Sequence, residues 1–392
     1  MCDRKYNGSM PSSERSLAMT SGVTLAALTG SVMYKTKMDR IVFLDYTRIL
    51  AFISVLVGHK FIVPLIITMG DTSQHASIRL LANIAYQICY GGAAGIIIFF
   101  LTSGYIISHV LQSETSTEFI IKRIFRIYPL FMFAVVLEAV LNRYVLGLPF
   151  ADISDWIPRL LLLGDYFGTR PVIGSVEWTL RIEVTFYALM VVLKACGLMR
   201  HQNYLPAVFI LITLALHFLP AFPSAPGLAY GYFTVYAPFL FIGVCIYLIE
   251  HRRANNNVCL LTIAIIMYSF FLKAVTIVPD WKELNYGLFA VMAFSLFWLL
   301  RRHLTDGPFI RLLSTLTYSV YLFHNWFWTY IEMALKSMGM QENYLKMATV
   351  TVLFLFCYGV NKTVEDYGLK MGRKVLQWHR SRQLNTSVKA TA

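Results

Sequence analysis

Long apolar runs recur along most of this chain, and they limit what it can fold into. The 392 residues are 57% hydrophobic and only 14% charged. A water-soluble domain could not hide so large an apolar fraction in one core, whereas about 20 apolar residues are what an α-helix needs to cross a bilayer. The sequence therefore predicts an all-α integral membrane protein, a bundle of about ten transmembrane helices that lie near residues 41–66, 83–108, 128–147, 178–198, 204–220, 229–249, 257–278, 284–300, 312–335 and 344–361.

The basic residues predict how this bundle is oriented. Lysine and arginine follow the even-numbered spans and are frequent at both ends of the chain, whereas the opposite loops contain few of them. Since the cytoplasmic loops of membrane proteins collect positive charge, both termini are expected in the cytoplasm. The net charge of +13 has the same origin, so we expect the chain to associate with a lipid bilayer and not with nucleic acid.

Three regions follow from this topology. Residues 1–37 are predicted to be a disordered cytoplasmic tail, with Met38 as an alternative start, residues 38–366 the transmembrane domain, and residues 367–392 a basic cytoplasmic C-terminal tail. In the long outer loop at 148–177, Pro and Gly flank an apolar patch, which predicts a short helix at the membrane interface. The cysteines show no metal-ligand spacing and five of the six fall in apolar segments, so we expect packing roles and no metal site.

The first predicted span carries three ionisable side chains. Asp45, Arg48 and His59 stand in an otherwise apolar stretch, although ionisable groups are costly inside a bilayer and normally face a water-filled interior. Arg48 and His59 are eleven positions apart, which on a helix is three turns plus roughly 20°, so they share one face about 16 Å apart. Asp45 falls within about 60° of Arg48 by the same geometry. One polar stripe on one span indicates a functional site.

A pair of cations follows the second span. Arg123 and Arg126 lie three residues apart, on one helical face near the predicted cytoplasmic surface. Such a pair suits a ligand that carries several phosphate charges. The same residues could instead serve only as positive-inside anchors.

The fourth span opens with the segment EWTLRIE. Trp178 suits the aromatic belt at the membrane interface. Arg181 and Glu183 are two residues apart and cannot face each other on a helix, so each needs a partner elsewhere. Glu183 could carry a proton or orient a histidine, or it could form an ion pair between helices.

The ninth span contains Tyr318, Ser319 and His324 among apolar residues. Hydrogen-bonding groups of this kind often tie membrane helices together. A serine nucleophile is not expected, because Ser319 and His324 are about 140° apart around a helix and no Gly-x-Ser-x-Gly turn is present. Glu365, just after the last span, is expected to be exposed and without a special role.

Together these segments resemble the membrane acyltransferase-3 family, which O-acylates bacterial cell-surface and exported glycans. The likeness runs from about residue 41 to 366 and rests on five elements in the family's order: Leu44 and Asp45 before Arg48 and His59, the segment FFLTSGY, Arg123 and Arg126 before Pro129, Trp178 with Glu183, Phe186 and Tyr187, and Tyr318 through His324. Two positions depart from the pattern. Thr102 stands where Leu is more usual, and the last element reads VEDYG in place of VExP.

The resemblance implies the substrates and the location. The donor would be a cytoplasmic acyl-CoA, with acetyl-CoA expected, and the acceptor a polysaccharide or a lipid-linked glycan. The acceptor could be an exopolysaccharide, such as cellulose or a succinoglycan-like polymer, or an O-antigen. The protein would be a multi-pass protein of the bacterial inner membrane, with polysaccharide synthase or export proteins as candidate partners.

The resemblance also implies roles for the residues above. His59 would act as the general base on a glycan hydroxyl, or accept the acyl group itself. Asp45 would orient Arg48, and Glu183 would support the outer half of the site. The CoA portion would be held by three arginines, Arg48, Arg123 and Arg126. The rest of the polar interior would consist of Trp178, Tyr318, Ser319 and His324.

Two other functions fit the same sequence. An exporter of glycans or lipid-linked sugars would also use ten spans and a polar interior, although we find neither an inverted repeat nor a pair of broken helices in the sequence. An inactive accessory subunit of a polysaccharide synthase is the other alternative. Transfer from acetyl-CoA would distinguish the enzyme from both.

Overall fold

The computed structural model describes residues 40–169, 171–224, 230–277 and 284–391, so the predicted N-terminal tail at 1–37 lies outside the described residues. Within them the chain is helical and forms no strand. The first half contains α1 (Val42–Lys60), α2 (Ile62–Gly70), α3 (Ala76–Cys89), α4 (Ala93–Val110), α5 (Ser116–Val145), α6 (Ile153–Leu160), α7 (Gly164–Phe167) and α8 (Glu177–Ala195). The second half contains α9 (Leu205–Phe218), α10 (Tyr232–Tyr236), α11 (Phe239–Glu250), α12 (Asn256–Ile277), α13 (Asn285–Leu299), α14 (Pro308–Phe323), α15 (Trp326–Ser337), α16 (Glu342–Val360) and α17 (Asp366–Thr391).

Each of the ten predicted spans coincides with one or more of these helices. Six stretches of the described residues are long and apolar enough to cross a membrane: Val42–Lys60, Ala76–Val110, Ser116–Val145, Tyr232–Glu250, Asn256–Ile277 and Glu342–Arg382. Helices of this length and composition point to a multi-pass membrane protein. The count of ten spans and the cytoplasmic location of both termini stay predictions.

The second and the ninth predicted spans are broken in the middle. The second span is α3 followed by α4, and between them Gly91 and Gly92 have φ angles of +56° and +71°, a conformation that glycine adopts without strain. The ninth span is α14 followed by α15, with the break at His324 and Asn325. The expectation that no pair of broken helices is present was therefore wrong. The Gly91–Gly92 dipeptide is a turn signal, but the spans were predicted from hydropathy, which does not show where a helix is interrupted.

Small residues bring α1, α4 and α11 into close contact. A side chain at Gly95 of α4 would come within 2.4 Å of the carbonyl oxygen of Ala51 on α1, and one at Gly104 would come within 1.9 Å of the carbonyl oxygen of Leu240 on α11. These distances exclude any larger residue unless the helices separate. Gly104 belongs to the segment FFLTSGY, whose small residues let the helices approach closely.

The C-terminal segment that we predicted as a basic tail is the long helix α17. A π-helical turn over Asn361–Glu365 connects it to α16. Its first turns pack against α5, where a side chain at Gly368 would meet the ring of Pro129 at 2.7 Å. The helix therefore brings Glu365 close to the residues that follow the second span.

The outer loop and the cysteines follow the predictions with one exception. The loop contains α6, the predicted short helix, on which Ile153 and Ile157 are 87% and 66% exposed. Its position at the membrane interface stays a prediction. Cys196 is exposed, because it lies just past the end of α8. The other described cysteines are buried free thiols, as expected of packing residues: Cys89, Cys245, Cys259 and Cys357.

Candidate active site

Five helices, α1, α4, α5, α8 and α14, enclose a cavity of about 380 Å³. The polar and aromatic groups that line it include five of the residues predicted from the sequence: Arg48, Arg123, Arg126, Glu183 and Tyr318. The rest of the lining is apolar or hydroxyl-bearing. A cavity of this size and polarity suits an organic ligand that carries negative charge.

Asp45 holds Arg48 at the wall of this cavity. The Asp45 side chain is 2% exposed, and it accepts hydrogen bonds from Ser314 Oγ at 2.6 Å and from Arg48 Nη1 at 3.4 Å. The Ser314 bond ties α1 to α14, and the carboxylate that it holds fixes the direction of Arg48, although Asp45 does not line the cavity itself. The expected orienting contact between Asp45 and Arg48 is therefore present.

Arg123 lies against two aromatic rings and keeps its charge available. Its guanidinium carbon is 5.3 Å from the Phe119 ring centre and 5.8 Å from that of Tyr187. Among the described residues it has no ion pair, and its buried Nε has no hydrogen-bond partner. An anion that enters the cavity would find this cation unneutralised.

Arg126 has a counter-ion that the sequence did not indicate. Its Nη1 donates to Glu365, a residue that is only 2% exposed and also accepts from Asn361 Nδ2 at 2.8 Å. The expectation that Glu365 is exposed and without a role was wrong, because 239 residues separate it from Arg126 and only the packing of α17 on α5 brings the two together. The guanidinium also lies 6.0 Å from the Tyr318 ring centre.

Glu183 and Arg181 have separate partners, as their spacing predicted. Glu183 accepts from Ser103 Oγ of α4 at 2.9 Å and from the Tyr187 hydroxyl one turn along α8. Arg181 donates to Asp165 at 2.7 Å and to Glu177 at 3.2 Å, on the side of the outer loop. Within the described residues Glu183 forms no ion pair, so it presents a carboxylate held by two hydroxyls to the cavity.

The remaining predicted residues divide between the cavity wall and the packed interior. Tyr318 lines the cavity and donates to the carbonyl oxygen of Ile127 on α5 at 2.9 Å, so it also ties two helices together. Ser319 is fully buried and donates to Leu316 of its own helix. Trp178 is half-buried and packs against the core, with its ring centre 5.0 Å from that of Tyr232. Its assignment to the interfacial aromatic belt stays a prediction.

His59 and His324 meet where the two broken spans are interrupted. Their ring centres are 5.2 Å apart. His59 is exposed, and its Nε2 would lie 3.5 Å from a side chain at Gly92, so the glycine leaves room beside it. His324 is 1% exposed, and its Nδ1 lies 2.6 Å from the carbonyl oxygen of Tyr321.

The histidine pair lies beyond the end of the cavity. Tyr321 lines the cavity, and its ring centre lies 5.8 Å from that of His324 and 5.5 Å from that of Phe99. Since α1 is one unbroken helix from Arg48 to His59, the two side chains are about 16 Å apart along its axis, as predicted. A cationic cavity and a pair of imidazoles are thus arranged along one helix.

Two groups of polar residues at the site were not predicted from the sequence. Lys60 Nζ bonds to the carbonyl oxygen and to Oδ1 of Asn325 at 3.4 and 3.2 Å, next to the histidine pair. Lys60 follows His59 directly and could have been noticed as one more cation on the first span. The partnership of Ser103 with Glu183 could not, because it joins residues 80 positions apart.

Comparison with known proteins gives one match. A family model described as an acyltransferase domain, of the acyltransferase-3 type, matches residues 41–360. A search of the curated proteins and a search of the solved structures find no match. The matched residues include the whole cavity lining and both histidines, and they end shortly before Glu365.

Proposed function

Because the chain belongs to the membrane acyltransferase-3 family, we propose that it is an O-acyltransferase that moves an acyl group from cytoplasmic acyl-CoA to a hydroxyl of an exported or surface polysaccharide. Acetyl-CoA is the expected donor, and the bacterial inner membrane the expected location. The family match supports acyl transfer, and the observation that supports this donor is the cavity with three arginines, of which Arg123 has no ion pair among the described residues.

The arginines suit the phosphate groups of coenzyme A. Arg123 has no ion pair among the described residues, whereas the charges of Arg48 and Arg126 are offset by Asp45 and Glu365. Guanidinium groups bind phosphate through paired, charge-assisted hydrogen bonds. Arg123 and Arg126 would therefore hold the phosphates, and Arg48 the arm that carries the thioester.

The direction of α1 then indicates where acyl transfer would take place. A donor held at the arginines would extend its thioester toward Tyr321 and His59, about 16 Å from Arg48. His59 would take the proton of the glycan hydroxyl while the hydroxyl oxygen attacks the thioester carbonyl carbon. The carbon–sulfur bond would break, and the CoA thiolate would leave and take up a proton. In the alternative sequence of steps, His59 would accept the acyl group first.

A deletion strain tests the proposed function directly. We expect mass spectrometry of its surface and secreted polysaccharides to show loss of one acyl mass from one sugar, with the polymer itself still present. The wild-type gene should restore that mass, and inside-out membrane vesicles given carbon-13-labelled acetyl-CoA should place the label in an ester on the polysaccharide. A polymer that keeps its full acylation in the deletion strain would contradict the proposal.

The broken helices are the one observation that favours an exporter, since discontinuous helices often form transport sites. Here the two breaks lie beside His59 and His324, so they also serve to bring two imidazoles together. The deletion experiment separates these functions. Loss of an exporter would remove the whole polymer from the surface, whereas loss of the acyltransferase would remove only the acyl group.

Glu365 gives a second test of the donor site. In Glu365→Gln, the amide can still accept from Arg126, but the counter-charge is gone, so we expect the KM for acetyl-CoA to fall about two- to fivefold, the range measured for partly exposed ion pairs. The matched variant Glu365→Ala loses the hydrogen bond as well and should raise the KM. KM values equal to that of the wild type in both variants, measured by thiol release in membrane vesicles, would exclude an effect of Glu365 on donor binding.

A further inference from the structure

We propose that His324 is the positioning residue of His59. In this proposal the Nε2 atom of His324 accepts a hydrogen bond from one ring nitrogen of His59 and so directs the other ring nitrogen to the acceptor hydroxyl. The role in acyl transfer rests on the proposed function above. The pairing of the two histidines rests on contacts that are independent of it.

The first of these contacts determines the tautomer of His324. Its Nδ1 lies 2.6 Å from the carbonyl oxygen of Tyr321. A carbonyl oxygen can only accept, so Nδ1 must carry the hydrogen. In a neutral imidazole, Nε2 then has a free lone pair and can act only as an acceptor.

The second observation is that this acceptor is buried without a partner. His324 is 1% exposed, and its Nε2 has no hydrogen-bond partner among the described residues. Burying an acceptor in this state costs free energy, and such groups are rare in folded proteins and call for an explanation. A donor that arrives in the working state would provide one.

The third observation is the position of His59. Its ring centre is 5.2 Å from that of His324, so a modest rotation of the exposed His59 ring would bring a ring N–H to the buried Nε2. Catalytic hydrogen bonds are often long before the substrate binds and shorten in the complex. Gly92 leaves the space for this rotation, since a side chain there would lie 3.5 Å from His59 Nε2.

In this proposal His324 accepts a hydrogen bond at every step, and the proton that leaves the glycan ends on the CoA thiolate. The hydroxyl proton of the glycan passes to the free ring nitrogen of His59, whose other N–H continues to donate to His324 Nε2. The resulting imidazolium is stabilised by that hydrogen bond. It returns its proton to the departing CoA thiolate, and His324 keeps its own Nδ1 hydrogen on Tyr321 at every stage.

Two substitutions separate positioning from packing. The amide of His324→Asn can reproduce the bond from Nδ1 to the Tyr321 carbonyl, but it places no acceptor where Nε2 was. His324→Gln can place its amide oxygen near the former Nε2 position and loses the Tyr321 bond. We expect kcat for acetyl transfer in membrane vesicles to fall about 100-fold in the first variant and clearly less in the second, with the KM for acetyl-CoA unchanged in both.

If His324 served only to stabilise the fold, His324→Asn would have the higher kcat of the two variants, because it keeps the bond to the Tyr321 carbonyl oxygen. The proposal is overturned if His324→Asn keeps the wild-type kcat, or if His324→Gln is no more active than His324→Asn. Both proteins are compared at equal amounts in the membrane.

A chemical measurement tests the pairing even if the protein proves not to transfer acyl groups. A hydrogen bond donated to His324 makes the other nitrogen of His59 more nucleophilic, so diethyl pyrocarbonate should modify His59 faster in the wild type than in His324→Asn. Mass spectrometry gives the rate, with the exposed His201 of the same molecule as the internal control. Equal His59 rates would overturn the pairing. A rate difference without acyl transfer would leave the pairing in place and contradict only the proposed function.

Discussion

His59→Ala should reduce acyl transfer by at least about 100-fold and leave donor binding unchanged. A reduction of this size is typical when a general base or an acyl carrier at the reacting atoms is lost. Binding should persist because His59 does not line the cavity and lies about 16 Å along α1 from Arg48. Thiol release from acetyl-CoA in vesicles that contain the polysaccharide gives kcat, and equilibrium binding of labelled acetyl-CoA gives the affinity.

His201→Ala is the matched control for this variant. His201 is exposed and lies in the turn before α9, outside the site, so its loss should change neither rate nor affinity. Normal polysaccharide acylation by His59→Ala at normal membrane levels would exclude a catalytic role for His59. A parallel loss of binding and rate would instead assign His59 to the donor site.

The site could be predicted from the sequence where it depends on one helix. Arg48 and His59 lie on α1, which runs without a break, so the regular geometry of a helix was enough to place them on one face. The contact of Asp45 with Arg48, three residues apart, follows from the same geometry. Local periodicity carries this information because each step along a helix turns the chain by a constant angle.

The rest of the site depends on contacts between distant segments. The ion pair of Arg126 with Glu365 requires α17 to pack on α5, and the histidine pair requires both helix breaks. Hydropathy cannot indicate these features, since apolar residues surround a break just as they surround a regular turn. Glu365 was misjudged for this reason, because its charge suggested an exposed tail while its partner was far away in the sequence.

Arg123→Gln should weaken acetyl-CoA binding by about 10- to 150-fold, which corresponds to the roughly 1.5–3 kcal/mol typical of a hydrogen bond to a charged group. Arg123 is a cleaner test than Arg126. Removing Arg126 would leave Glu365 buried without its counter-ion, and such a loss can destabilise the whole protein. Arg123 has no ion pair among the described residues, so its substitution leaves no buried carboxylate without a counter-ion.

Arg200→Gln is the control that separates a phosphate site from an anchor. It removes one positive charge that, like Arg123, follows an even-numbered span, but Arg200 is exposed, has no ion pair among the described residues and does not line the cavity. If these basic residues only orient the protein in the membrane, the two variants should lose the same amount of protein and bind acetyl-CoA equally. If Arg123 holds a phosphate, only Arg123→Gln should lose affinity, and rising salt should weaken wild-type binding more than binding to this variant, because the lost contact is ionic.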